Sequence, residues 1–193
     1  PEQWANLFEH VGRMLRDTTD ELDTNIRNRI VGFFDWRFAN GQPKELRKFT
    51  FWLKAKCLDA GWRLNAYSKI LDVCKAKDLS VAMQIDALCE MLPDYTAEVV
   101  ACFTKLTDGF RDDTIDIYAK GAKTILKAGI ESSDEKVRRV AARAYENLLR
   151  TGRLDLKALA DELADKFMEF VGPDCPPLSD YAVSREGIYE DDI

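Results

Sequence analysis

An all-α fold of stacked helical hairpins, a right-handed solenoid of about nine helices, is predicted for this 193-residue chain. Three observations predict it. Apolar residues recur at steps of three and four along most of the chain, which is the spacing of one helix face, and no stretch alternates with the period of two that half-buried strands require. Start and stop signals divide the chain into segments of helix length. The later segments pair at a spacing of about 31 to 38 residues, within the range of helical repeats.

The elements follow in order. Trp4, Leu7, Phe8, Val11, Met14 and Leu15 mark a first amphipathic helix, broken at 17–20. A second is expected from about Glu21 to Ala39, carrying Leu22, Ile26, Ile30, Phe33, Phe34 and Trp36, with Gly41 as its stop. Pro43 suits a first helical position, and Leu46, Phe49, Leu53 and Cys57 follow on one face. Phe51, Trp52 and Leu58 cover its other faces, so this helix is expected to be packed on several sides. Trp62 to Lys77 folds back on it, with Asn65 as a candidate cap. Ser80 opens a helix that ends at Pro93, and Asp94 or Thr96 opens one that ends at Gly109.

The central pair runs from Ile115 to Leu149. Ile115, Tyr118, Ala122, Ile125 and Leu126 give its first helix a stripe that Gly129 closes. Ser132 with Glu135 three residues on is a capping-box spacing for the second. There Val137, Val140, Ala141, Ala144 and Leu148 form a narrow stripe of mostly small residues, which lets two helices approach closely. A last helix carries Leu156, Leu159, Leu163, Phe167 and Phe170. The domain reading is one helical domain over 1–172, with N-terminal helices in 1–41 and hairpins in 42–172, followed by an acidic tail over 173–193.

Composition narrows the function classes. A net charge of −6 and a pI near 5.0 disfavour a nucleic-acid groove as the main surface, since phosphate binding leaves a basic footprint. No run approaches the ~20 apolar residues of a membrane helix, and the first residues lack a signal-peptide pattern. A cytoplasmic protein without a membrane partner is expected. The chain opens at Pro1 rather than a methionine, from which a piece of a longer or processed protein is expected. Cys57, Cys74, Cys89, Cys102 and Cys175 are odd in number and lack a Cys-x-x-Cys pair. They read as free thiols, four of them in helical patterns as small buried hydrophobes, rather than as zinc ligands or disulfides.

The segment from Glu131 to Ala141, with Ser132, Ser133, Asp134, Val137 and Arg138, resembles the turn and second-helix start of a HEAT repeat. A longer resemblance runs through Phe34-Asp35-Trp36-Arg37, Glu45-Leu46, Phe49-Thr50-Phe51-Trp52-Leu53, Leu58 and Trp62. It continues with Tyr118, Thr124 to Ala128 and Ser132 to Glu135. This order is similar to the C-terminal helical-repeat region of large bacterial multidomain proteins, whose N-terminal parts look like NTPases or effectors of antiphage defence. The resemblance implies a HEAT/ARM-like superhelix serving as a sensor or scaffold.

Catalytic signals are weak. His10 is the sole histidine, which removes most triads and imidazole bases. It reads as a side chain covering the core edge rather than a metal ligand. Asp112 with Asp113, and Asp191 with Asp192, read as solvated acidic pairs rather than a cation site. Gly109, Gly121 and Gly129 do not make a phosphate loop. No enzyme activity, cofactor or metal is expected. Phe33, Phe34, Trp36, Phe49, Phe51, Trp52 and Trp62 stand at helical spacing and read as core. Any that are exposed, with Trp36, Trp52 and Trp62 as the candidates, would mark a partner surface. Arg139, Arg143 and Arg150 share a stripe interrupted by Glu146, and Arg153 follows it. These four are the candidate contacts to an acidic partner or phosphate, against the plainer reading of a solvated face. A protein partner, or other domains of a parent chain, is the leading expectation, and nucleic acid the alternative.

Overall fold

The structure is a computed structural model that describes residues 2–74, 81–108 and 119–151. The chain divides into two units, Pro1–Asp155 and Leu156–Ile193, and the described residues all belong to the first. The expected helix beyond Asp155, Arg153, both aspartate pairs, Cys175 and the tail lie outside the described residues.

Every regular element among the described residues is helical. In order they are α1 (Glu2–Asp17), α2 (Thr24–Asn40), α3 (Pro43–Leu46), a 3-10 turn (Arg47–Phe49), α4 (Thr50–Leu53), α5 (Ala60–Val73), α6 (Val81–Met91), α7 (Thr96–Thr107), α8 (Ala119–Ile130) and α9 (Glu135–Thr151). Neighbours in sequence pack as pairs: α4 on α5, α6 on α7 and α8 on α9. Alternate helices also pack, α4 on α6 and α6 on α8 in one row, α5 on α7 and α7 on α9 in the other. The second row is tied by polar contacts as well. Lys105 Nζ reaches Asp72 at 2.6 Å and Ser68 at 2.9 Å, and the Thr104 hydroxyl shares its proton between the Val100 carbonyl at 2.8 Å and the Val140 carbonyl of α9 at 3.0 Å.

Local chemistry explains most boundaries. Asp23 caps α2 by accepting from the amides of Asn25 (2.8 Å) and Ile26 (3.4 Å), and the Gly41 amide closes it on the Arg37 carbonyl at 2.7 Å. The N-terminal end of α5 is capped by Asp59, which accepts from the Trp62 amide at 2.7 Å, so Asn65 lies inside the helix instead of capping it. At α9 the cap moves by two residues from the expected Ser132. Asp134 accepts from the Lys136 amide at 2.8 Å, while the Ser132 hydroxyl accepts from the Asp134 amide at 3.2 Å. Gly129 does not end α8. Its missing side chain makes room for α9, since a Cβ there would stand 2.7 Å from that of Ala141.

The segment from Pro43 to Cys57 differs most from expectation. In place of one helix it holds α3, the 3-10 turn and α4, then a non-helical stretch to Asp59. Tertiary contacts override the helical periodicity here. The Leu53 carbonyl, which a continuing helix would bond to the amide of residue 57, instead accepts from Arg63 Nη1 at 2.7 Å. Leu53, Ala55 and Leu58 are all buried by the resulting turns.

This broken segment sits under an aromatic core. Phe8, Phe34, Phe49, Trp52 and Tyr67 are fully buried. The Phe8 and Trp52 ring centroids are 4.9 Å apart, and Phe34 stands 5.2 Å from Phe49. Trp52 Nε1 donates to the Phe8 carbonyl at 2.8 Å, which satisfies its buried polar atom. Gly12 lets α1 lie against that ring, because a Cβ there would come within 2.5 Å of Trp52 Cδ1.

Two buried polar arrangements accompany the core. Arg37 on α2 pairs with Glu45 on α3, both side chains about 95% buried. Glu45 also accepts from the Gln42 amide at 3.1 Å. That backbone bond first, and then the Arg37 charge, hold the Glu45 carboxyl below its ordinary range against the opposing effect of burial. Further along, the Tyr67 hydroxyl donates to Gln84 Oε1, and Gln84 Nε2 donates to the Thr50 hydroxyl at 3.0 Å. That chain links α5, α6 and α4 with every named group partnered, and a satisfied buried network favours one packing of the three helices.

Candidate functional site

The three described arginines of the predicted stripe all lie exposed on α9. Val137, Ala141, Ala144 and Leu148 fill the opposite face, buried against α7 and α8. The 3.6-residue repeat therefore turns Arg139, Arg143 and Arg150 outward. Their surroundings differ. Arg139 pairs with Glu135 one turn earlier, an exposed pair of the kind that contributes little. Arg143 and Arg150 have no ion-pair partner among the described residues. Arg138 belongs to the turn, where its Nη1 donates to the carbonyls of Ser132 (2.8 Å) and Ser133 (2.9 Å).

Charge along the chain is uneven in a way that the total conceals. Residues 119–151 hold eight Lys and Arg against four Asp and Glu, whereas 152–193 hold four against eleven. The α8–α9 hairpin is thus locally basic although the chain as a whole is acidic.

The tryptophans separate. Trp52 is wholly buried, which corrects its place among the candidate partner contacts: its ring is shared between α1, α2 and the 3-10 turn. Trp62 is half-buried against Phe34, with centroids 5.3 Å apart. Trp36 remains 44% exposed, edge-on to Trp4 at 5.1 Å. The Arg37 guanidinium lies 5.2 Å from the Trp36 ring centroid and 5.6 Å from that of Trp4. His10 is exposed on α1 rather than covering a core edge.

Among the other shifted groups, burial lowers Arg63, while the carboxylates and thiols move away from neutrality. Glu9, in a cleft of about 240 Å³ lined also by Arg13, Arg47, Lys48, Thr50, Phe51 and Met83, is held low by hydrogen bonds from Lys48 and then Arg13. Burial pushes the thiols of Cys57 and Cys89 up, and that of Cys102 up to about 12. Each described cysteine sulfur lies near a backbone carbonyl: Leu15, Pro43, Gly121 and Leu64 for Cys57, Cys74, Cys89 and Cys102. The protonated thiols of Cys57, Cys89 and Cys102 act as small apolar fillers and are poor nucleophiles. A groove of about 490 Å³ runs over α4, α6 and α8, with Lys54 paired to Asp86 at 3.5 Å and Lys120 exposed beside it. Its charges are mixed. Among the described residues no three His, Cys, Asp or Glu side chains converge as a metal site, and no helix is long and apolar enough to cross a membrane.

Sequence reasoning missed the outward side of the first hairpin. Leu7, Met14 and Ile26 read as core stripe, yet they are 42%, 60% and 50% exposed. The available signal was the width of the apolar stripes on α1 and α2, broader than one neighbour can cover.

No family model, curated protein or solved structure matches this chain.

Proposed function

We propose that this chain is a HEAT-like helical-repeat stack, a right-handed α–α superhelix, acting as a non-catalytic interaction or ligand-sensing scaffold within a larger cytoplasmic bacterial protein. A parent of the NTPase or effector type found in antiphage defence fits the sequence resemblance. The packing of alternate helices in two rows supports the repeat reading, because each hairpin of such an array buries its flanks only against its neighbours.

The observation that carries the binding surface is the exposed face of α9, where Arg143 and Arg150 stand without a carboxylate partner among the described residues. Guanidinium groups in this state suit carboxylate or phosphate ligands, which they grip with two parallel hydrogen bonds. An acidic protein segment is the preferred ligand. The local basic excess favours a second reading, nucleic acid bound along the same stripe.

One titration separates the two. Fluorescent poly-glutamate and a random-sequence DNA duplex are added at low and physiological salt to the wild type and to the Arg139→Glu, Arg143→Glu, Arg150→Glu triple variant. The expected result is peptide binding that weakens with salt and falls by roughly tenfold or more in the variant, because opposed charges are replaced by like ones. Tighter binding of the duplex, lost in the same variant, transfers the surface to nucleic acid. No binding of either probe at low salt contradicts both readings.

A further inference from the structure

We propose that the outward face of α1 and α2 is a homodimer interface, in which two copies of this chain pair antiparallel about Val11. Exposed apolar residues are concentrated there. Of the seven large apolar side chains exposed among the described residues, Trp4, Leu7, Met14, Ile26 and Trp36 lie on these two helices, leaving Val73 and Leu149 elsewhere. On α1, Trp4, Leu7, Val11 and Met14 follow one another at steps of three and four, so they form a single stripe. On α2, Ile26, Ile30 and Phe33 do the same, and together with Val11 and Arg29 they line a groove of about 300 Å³.

The size of the patch favours a protein occupant. The exposed fractions of those five side chains correspond to roughly 500–600 Å² of surface per copy, about the largest apolar patch a monomer ordinarily shows. Half-buried Val11, Ile30 and Phe33 add to it. Two such faces in contact bury about 1,000 Å² or more, the minimum expected of a biological interface.

The arrangement favours a second copy as that occupant. A two-fold interface has to be complementary to itself. This face carries a ridge, Leu7 and Met14, beside a groove, Val11, Ile26, Ile30 and Phe33. Turning one copy about an axis near Val11 sets Leu7 against the second copy's Met14, Val11 against its counterpart, and each ridge over the opposite groove. The product is a four-helix layer with an apolar centre. Exposed His10 and Asp23 stand at its edge, and Arg29 lines the groove itself. The face is distinct from the α9 surface, so charge reversal on α9 leaves the dimer intact and the two ideas fail separately.

Sedimentation equilibrium of the 193-residue chain carrying Cys175→Ser tests this, with Val11→Cys as a second reporter. A dimer at micromolar concentration is expected, which the pair Met14→Glu and Ile26→Glu converts to monomer with unchanged helical circular dichroism. Val11→Cys is expected to give a disulfide-linked dimer on mild oxidation, as the two α-carbons must then lie within about 7 Å. A wild type that stays monomeric through the micromolar range overturns the proposal and leaves the face to a different occupant. A dimer that survives the paired glutamates overturns it too. Should those glutamates unfold the chain, absence of the Val11→Cys cross-link overturns it.

Discussion

Trp52→Ala is expected to destabilise the fold by about 3–5 kcal/mol, enough to leave a marginally stable domain largely unfolded at physiological temperature. The ring is fully buried and lies against Phe8 from α1, Phe33 and Phe34 from α2, and Phe49 from the 3-10 turn. Removing it opens a cavity that rigid aromatic neighbours fill poorly, and cavity volume adds to the lost transfer energy. The Phe8 carbonyl loses its donor in the same step. Trp52→Phe separates the contributions. It keeps most of the apolar volume and removes the indole N–H, so a loss of about 1–2 kcal/mol is expected, that of one buried hydrogen bond plus a small void. Urea unfolding followed by far-ultraviolet circular dichroism measures both. Values for Trp52→Ala below about 1 kcal/mol would mean that the three elements do not meet at this ring.

Glu45→Ala carries the second large effect, about 3–5 kcal/mol, because it strands the buried Arg37 guanidinium without its carboxylate. The Gln42 amide loses its acceptor as well. Replacing both partners tells a different story. Arg37→Met with Glu45→Leu exchanges two desolvated charges for packed hydrocarbon, so the double variant is expected to be far less damaged than Glu45→Ala alone. Acidity tests the same pair. The Glu45 carboxyl is held below its unfolded value, so the native state binds its proton more weakly than the unfolded chain does. Its stabilising contribution is then fully present above the unfolded value near 4.3 and is lost as the pH falls through the lower folded value. Glu45→Gln should flatten this part of the acid limb by lowering stability at neutral and alkaline pH, and change little at pH values below the folded value.

Both sites gather residues that lie far apart in the sequence. Phe34, Phe49, Trp52 and Trp62 are spread over nearly thirty residues, yet they meet in one aromatic cluster that joins α2, the 3-10 turn, α4 and α5, while Arg37 and Glu45 pair between α2 and α3. Their pattern reports packing, and Trp52 therefore moves from candidate contact to core. Helix identity was legible because it depends on local periodicity and caps, and α1, α2, α7 and α9 keep close to their expected limits. The break after Leu53 was not. It depends on Arg63 reaching a carbonyl ten residues back, a contact without a local signature. The Gln84 link between Tyr67 and Thr50 escaped notice for the same reason.

The arginine stripe illustrates the opposite case. Its outward aim follows from helix geometry alone, so Arg139, Arg143 and Arg150 emerge where the periodicity places them. Whether each cation is already neutralised depends on side-chain reach, and there the structure separates Arg139, paired with Glu135, from Arg143 and Arg150. On the second helix of the last described hairpin, these two are the groups that a docking partner of opposite charge would meet first.

The most direct measurement is site-specific photo-crosslinking from α9, with the reactive group placed at Ala142, next to Arg143 on the exposed face. The carrier is the complete natural protein expressed in its own cell, and a matched control carries the group at Lys69, an exposed position on α5. A reproducible adduct from position 142 to an acidic protein segment, absent from position 69 and abolished by Arg143→Glu with Arg150→Glu, is the expected result. Adducts that form equally from both positions, or that persist after both charge reversals, would contradict a role for this face in binding.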